Sequence, residues 1–462
     1  MLNRYITILV RGKKDRDVIE HVVDRYYTDW RGLISIETFT ERSIDRLVDR
    51  IRELLKNVNS SGYILTILGR DDIANGDVKD LEYVYKYPNI SILKVRTSKV
   101  RNMRPLELFV NIEKCKADIR LRVSWLRNTS TYVLGYLNNL RDVHVKIIEN
   151  IHPLYDVYLV FGNEAIRNIE HIINKDLDTN TLLIVKRLHD EHDVYIGDRK
   201  FCRLAIPEND EPYVKYIKDT LSNVYVNLKD GIELSYNFLK IHENIAINLI
   251  RSVFEVSNFD RVVVPWSGGK DSTACLILSI KALGKDLVTP IFVDMGLEFD
   301  LNRMYVEYVS DLLHVDVEIG HVDLLSELSR RELPSHEFRW CTKLKIRELY
   351  RIMKKISDKP LVVVGDRDTE SLLRLKRAPV RKHEWITQVA PLKFWSSIMV
   401  QYYLLLNKVP INPLYMLGFY RLGCYICPAY RIYELNLAEK VLKIDNYETF
   451  YNILKEQSYL IY

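Results

Sequence analysis

The chain has 462 residues, 47% hydrophobic and 28% charged, with a net charge of +5, which suits a globular protein of two or three domains. No apolar run reaches the ~20 residues of a membrane helix, residues 1–17 hold too short an apolar core for a secretory signal, and six cysteines in so long a chain exclude a disulfide scaffold. A cytoplasmic location is expected, and the mildly basic balance permits anionic substrates or nucleic acid without demanding either.

Residues 1–110 read as a small α/β domain of unknown role. Strands are predicted at 5–10, 62–68 and 91–95. Between them, 42–55 place Ile44, Leu47, Val48, Ile51, Leu54 and Leu55 on one helical face. The charged run 11–17 reads as a solvated turn. Residues 111–235 read as a second, α+β module. Strands are expected at 155–161 and 181–186, with a helix at 165–173 between them. A hairpin is expected from 193–195 and 200–205 around Gly197-Asp198. Lys186, Arg187, Arg199 and Lys200 leave RNA binding open. A structural or oligomerisation role is favoured, because no recognition motif stands out. The polar stretch 207–212 reads as a surface loop.

From residue 236 the pattern changes. A helix is predicted over 236–256, then a β-branched strand over 262–266. Next come the turn Ser267-Gly268-Gly269-Lys270-Asp271-Ser272 and a helix over 273–283, stopping at Gly284. Two glycines allow a sharp bend and close approach to a ligand. Amides at a helix N-terminus, the hydroxyls of Ser267, Ser272 and Thr273, and the charge of Lys270 suit a phosphate. The spacing is not G-x-x-x-x-G-K-[ST], so this is not the common P-loop. Further strands are expected at 288–294, 315–319, 361–364 and 387–391, with helices at 300–313 and 343–354. Alternation of this kind predicts a doubly wound parallel sheet over 236–462, with its ligand at the carboxyl ends of the strands. The turns at Ser267, Asp294 and Gly365 all fall at such ends.

The hexamer resembles the SGGxDS pyrophosphate loop of the ATP-pyrophosphatase (PP-loop) and phosphoadenosine phosphosulfate (PAPS) reductase superfamily, including archaeal PAPS reductase-domain proteins. The stretches 293–299 (VDMGLEF), 339–342 (RWCT), 365–374 (GDRDTESLLR), 391–395 and 412–428 follow in family order. The resemblance covers about 200 residues and none of the first 235. It implies an adenine nucleotide, ATP or PAPS or adenosine phosphosulfate, with Mg²⁺. Ser267, Gly268, Gly269, Lys270, Asp271, Ser272 and Thr273 would hold phosphates, and Asp294 and Gly296 would flank the adenosine. Gly365 would sit at the third turn, and Arg367 and Arg374 would face phosphate or sulfate oxygens. Glu370 would pair with an arginine or help bind magnesium; a surface i,i+4 pair with Arg374 is the plainer reading. Lys270, Asp271 and Arg367 are the catalytic candidates, acting through position and charge.

Cys341, Cys424 and Cys427 are the metal candidates. Relatives with a [4Fe–4S] cluster carry a tandem Cys-Cys before the Cys-x-x-Cys, and Thr342 here fills the second tandem place. Three thiolates leave open a cluster with one free iron, a zinc site completed by His336 or water, or plain buried or redox-active thiols. Cys115, Cys202 and Cys275 read as core residues. A reductase of this family uses a nucleophilic cysteine near its carboxyl terminus, and none follows Cys427. The leading expectation is therefore ATP-dependent adenylation of an acceptor followed by sulfur transfer. The acceptor is left open, with RNA or tRNA, bound through the amino-terminal region, as one option. A sulfur donor or thioredoxin-like reductant would be a partner, and a homodimer is left open. Sulfite-forming reduction of PAPS is the rival activity, and a nucleotide-binding regulatory protein without turnover is the rival of another class.

Overall fold

The computed structural model describes residues 4–56, 62–73, 87–135, 144–218 and 223–461. The chain opens with four parallel strands, β1 (Ile6–Val10), β2 (Ile34–Thr38), β3 (Tyr63–Leu68) and β4 (Ile90–Lys94), in the order β2-β1-β3-β4. Their alternate side chains feed two separate cores. Ile8, Val10, Leu65 and Ile67 meet helices α1 (Lys13–Tyr26) and α3 (Pro105–Arg120). Leu9, Ile64 and Leu68 meet α2 (Ile44–Lys56). A strand apolar on both faces needs cover on both, which is the parallel-sheet condition.

Two expectations change here. The charged run 11–17 is not a solvated turn: from Lys13 on it is the first turn of α1, and Asp15 is buried, its Oδ1 accepting from the Arg101 amide at 3.2 Å. The apolar stripe Ile19, Val22 and Val23 behind the charges holds that turn in helix. The boundary drawn at residue 110 falls inside α3, which packs on β3, β4 and α1 and so belongs with the first sheet.

Next come β5 (Val123–Leu126), β6 (Thr131–Leu134) and β7 (His144–Lys146), a small antiparallel sheet. An antiparallel meander follows: β8 (Asp156–Phe161), β9 (Thr181–Lys186), β10 (Glu191–Ile196), β11 (Arg199–Ala205) and β12 (Tyr213–Ile217). Helix α4 (Asn163–Ile173) lies between β8 and β9, and the hairpin at Gly197-Asp198 forms as expected. Residues 207–212 carry no helix or strand, whereas β12 beyond them was not anticipated.

The third region is a six-stranded sheet: β13 (Arg261–Pro265), β14 (Val288–Asp294), β15 (Glu318–His321), β16 (Pro360–Val363), β17 (Val380–His383) and β18 (Ile386–Val389). Its order is β15-β14-β13-β16-β18-β17, and every pairing is parallel except β17 with β18. The order reverses at β13, which makes its carboxyl end the switch point where open α/β sheets bind ligands. Helices α5 (Tyr236–Val256), α6 (Lys270–Leu283), α7 (Asp300–Leu313), α8 (Trp340–Ile356) and α9 (Ser397–Leu406) surround it. One continuous hydrophobic core runs from Tyr5 to Ile453 through all three regions. No helix among the described residues is long and apolar enough to cross a membrane.

Strand β8 is the edge of its sheet, yet its free side is covered. The Gln401 carboxamide, on α9, accepts from the Leu159 amide at 2.9 Å and donates to the Leu159 carbonyl at 2.8 Å. The second module is thereby joined to the third by the same pair of bonds another strand would make.

Candidate nucleotide-binding site

At the end of β13 the loop turns on Gly268, whose φ is +75°. A Cβ there would lie 2.2 Å from the Asn302 Oδ1, so only glycine fits. Asn302 donates to the Ser267 carbonyl at 3.2 Å, and Asn412 donates to the Gly268 carbonyl at 3.1 Å and to Asn302 Oδ1 at 2.8 Å. These bonds fix the loop by its carbonyls, which turns its amides the other way. Gly269 precedes α6 in extended conformation and, having no side chain, gives no cap, while the Tyr415 hydroxyl accepts from the Lys270 amide at 3.3 Å. First-turn amides without a cap are anion donors at the positive end of the dipole. The Ser267 and Ser272 hydroxyls are 3.2 Å apart beside them, and Ser267 is exposed. Thr273 faces inward instead: its hydroxyl donates to the Gly269 carbonyl at 2.9 Å and accepts from the Trp266 indole at 2.9 Å. It braces the turn and reaches no ligand.

Lys270 also turns inward. Its ammonium lies 3.0 Å from the Asp271 carboxylate and 5.2 Å from the Tyr415 ring centre, with 7% of the residue exposed. Asp294, at the end of β14, accepts from the Gly296 amide at 2.7 Å and from Arg303 at 2.9 Å. Burial alone would raise its carboxyl, but Arg303 and the Gly296 amide hold it below the ordinary range. Gly296 is exposed in left-handed conformation with φ +76°. Gly365, after β16, lies so near α6 that a Cβ would sit 3.0 Å from Asp271. The three turns at Ser267, Asp294 and Gly365 thus lie at the carboxyl ends of β13, β14 and β16, neighbours in one sheet.

The stretch Asp366-Arg367-Asp368 behaves differently from expectation. Arg367 does not face a ligand. It is 1% exposed and donates to Asp271 at 2.6 Å, Asp156 at 3.0 Å, Thr369 at 2.9 Å and Ser397 at 2.9 Å. A guanidinium taken from water needs its charge and donors met, and two carboxylates and two hydroxyls meet them. Burial would raise Asp156, but Arg367 and Ser397 bring its carboxyl down to about 2. Burial would raise Asp271 too, and Arg367 and Lys270 keep it below the carboxylate range. Arg367 is therefore a positioning residue that ties the loop helix to β8. Asp368, wholly buried, pairs with Lys393 at 2.6 Å and with Lys116 of α3 at 2.9 Å. Asp366 pairs with Arg381 at 2.7 Å. Three consecutive residues thus grip three different parts of the molecule.

Glu370 accepts from the Arg367 amide at 2.9 Å and forms the i,i+4 pair with Arg374. A backbone amide and one guanidinium take up its carboxylate, so the plainer of its two readings is the one formed. Arg374 keeps 37% of its side chain exposed. Its guanidinium also lies 3.6 Å from Asp366.

Cys341 stands at the start of α8, and Cys424 and Cys427 form a turn closed by the Cys427 amide on the Cys424 carbonyl at 2.9 Å. The Cys424 thiol contacts Glu298 Oε1 at 3.6 Å, and burial beside Glu298 pushes it well up, against thiolate formation. No three His, Cys, Asp or Glu side chains among the described residues converge to hold a metal ion. His336 is exposed. The donor set as arranged does not fit the iron–sulfur or zinc site that the resemblance suggested. Cys115, Cys202 and Cys275 are buried, as expected.

Sequence reading missed Asp156, Ser397, Asn302 and Lys393. The first carried a signal: an aspartate entering the apolar strand 155–161 must find a cation.

Residues 261–430 match the phosphoadenosine phosphosulfate reductase domain, so the carboxyl-terminal region is a domain of that family. Among proteins of known sequence, an uncharacterized protein of Methanocaldococcus jannaschii is 28% identical over 395 residues, 83% of this chain and 76% of its own. A second from the same organism is 26% identical over 58% of this chain and 62% of its own length. Among solved structures, PAPS reductase from Candida auris in a phosphate complex overlaps 45% of this chain and 98% of its own at 18% identity, with a TM-score of 0.30. FMN adenylyltransferase from Candida glabrata, with FAD and pyrophosphate, overlaps 43% of this chain and 72% of its own at 19% identity, with a TM-score of 0.31. At the level of the family this is an enzyme domain for adenine nucleotides.

Proposed function

We propose that the chain is an ATP-dependent enzyme of sulfur metabolism that adenylates an acceptor, releases pyrophosphate and lets sulfur replace AMP. The carrying observation is the loop itself. Gly268 is in the left-handed region, Asn302 and Asn412 hold the loop carbonyls, and α6 starts from a glycine without a side-chain cap, with Ser267 and Ser272 beside it. Such a cradle stabilises the pyrophosphate that leaves as the α-phosphate is attacked. Arg374 adds a cation at the rim, and Mg²⁺ supplies further charge neutralisation when bound with the nucleotide. Lys270 and Asp271 act behind the loop: with Arg367 they set the first turn of α6.

ATP–pyrophosphate exchange with labelled pyrophosphate, in the presence of acceptor pools, tests this reading. Exchange is expected in the native chain. It is expected to fall at least ~100-fold in Gly268→Ala, where the new methyl group collides with Asn302. No exchange with any pool sinks it. The match to the PAPS reductase domain favours a second reading, sulfite formation from PAPS with a thiol reductant, and sulfite release measures it directly.

A further inference from the structure

A cavity of about 60 Å³ lies where β8 and β9 meet the segment 415–434, on the side of the phosphate loop that faces the second module. Lys270 stands in its wall, so the cavity and the loop share a residue. The other charged groups of the wall are Lys186, Arg431, Glu434 and the buried imidazole of His192. Most of these charges are already matched. Arg431 pairs with Asp190 at 2.6 Å, its amide donates to Glu434 at 2.9 Å, and Lys270 pairs with Asp271 at 3.0 Å. His192 Nδ1 lies 2.9 Å from the Asp190 carbonyl.

Lys186 is the exception. It is the last residue of β9, and its ammonium meets the Tyr420 hydroxyl at 3.5 Å and the Tyr420 ring at 4.6 Å, both neutral groups. Burial, with Arg431 nearby, brings that ammonium down to about 8. Asp156 and Asp190 act on it from a distance in the opposite sense, without outweighing burial, and Arg367 adds to the lowering. A buried lysine whose nearest partner is a neutral phenol costs folding energy unless something anionic joins it. The space fits a carboxylate or sulfate group, while a nucleotide needs several times as much.

We infer that this cavity is a binding site for one small oxyanion, a carboxylate or an inorganic sulfate or phosphate, held by Lys186 and the Tyr420 hydroxyl next to the phosphate loop. In terms of the function proposed above, which this inference deepens, the oxyanion is the anchoring group of a small acidic acceptor and not the reacting one. An RNA acceptor would leave the cavity unused.

The test is calorimetric titration of the full chain with acetate, succinate, sulfate and phosphate, each alone and without ATP. Saturable 1:1 binding of at least one is expected. At pH 8.5 it should take up a proton, read from the dependence of heat on buffer ionisation, because a bound anion favours the charged lysine. Lys186→Met should weaken that binding at least ~30-fold and abolish the proton uptake, and Tyr420→Phe should weaken it ~5-fold. The methionine variant should unfold at or above the native temperature, since it removes a poorly matched charge. Carboxylate binding with no sulfate binding identifies an acidic organic ligand; the converse identifies the inorganic anion. Absence of saturable binding by all four, or equal binding by Lys186→Met, overturns the inference. Binding that survives while ATP–pyrophosphate exchange fails would keep the cavity site and remove the adenylation reading.

Discussion

The rim of the nucleotide site and the seam beneath it use charge in opposite ways. At the rim, Ser267, Gly296 and the tip of Arg374 meet solvent, and few side chains bind one another across it. In the seam, Asp156, Arg367, Asp368, Lys116 and Lys393 are all but fully buried and matched to one another. At the rim the pairs, Arg374 with Glu370 and Ser267 with Ser272, are local and partly open to water. In the seam, cut off from water, each carboxylate is matched by a buried cation from a distant part of the chain. The difference teaches that two arginines seven residues apart in one motif, Arg367 and Arg374, are separated in role by burial, which spacing does not reveal.

The largest effect expected from breaking this contrast is in the seam. Arg367→Met leaves Asp156 and Asp271 buried without their shared cation, and should cost about 3–5 kcal/mol in chemical denaturation. A loss under about 1 kcal/mol would mean the seam is wetter than its geometry. An intermediate effect comes from acid. Burial lowers His192 and His242 each to about 3, so both stay neutral in the folded chain while the unfolded chain binds their protons below ~6.5. The unfolded state then holds more protons, so stability falls as pH drops from about 6.5 towards 4, by roughly 1 kcal/mol per pH unit for each histidine. His242→Gln should flatten that slope by about half, measured by denaturation at several pH values. The smallest effect is at the rim. Arg374→Ala should change stability by no more than about 0.5 kcal/mol, since its pairs are partly exposed. Nucleotide affinity, read by titration, should fall several-fold; unchanged affinity would make Arg374 an ordinary surface ion pair.

Much of the third region was legible in sequence because its signals are local. A β-branched run, two glycines and an apolar helix specify β13, the loop and α6 within two dozen residues, and the strand at 288–294 follows the same rule. Strand β15 was expected three residues early, since Val315 and Val317 are apolar but pack in the loop before it. Strands β2, β12 and β17 escaped notice because each is short and partly exposed, with polar residues between apolar ones. Helix α1 was hidden by the density of charge in its first turn. The role of Arg367 was out of reach for another reason. Its partners Asp156 and Ser397 lie 211 and 30 residues away, and only the folded chain brings them together. The cysteines make the same point in reverse: their spacing suggested a ligand set that their placement does not gather.

The tripeptide Asp366-Arg367-Asp368 bears on how such a protein can be rearranged over time. A nucleotide domain whose surface ends in water can be cut out, duplicated or fused to a new neighbour. Here a break before residue 236 would strip Asp156 from Arg367 and Lys116 from Asp368, leaving mismatched charges on a freshly exposed face. Recombination at that point is therefore disfavoured unless the incoming segment happens to supply an acid and a base at matching positions. The two halves of this chain are expected to be inherited together.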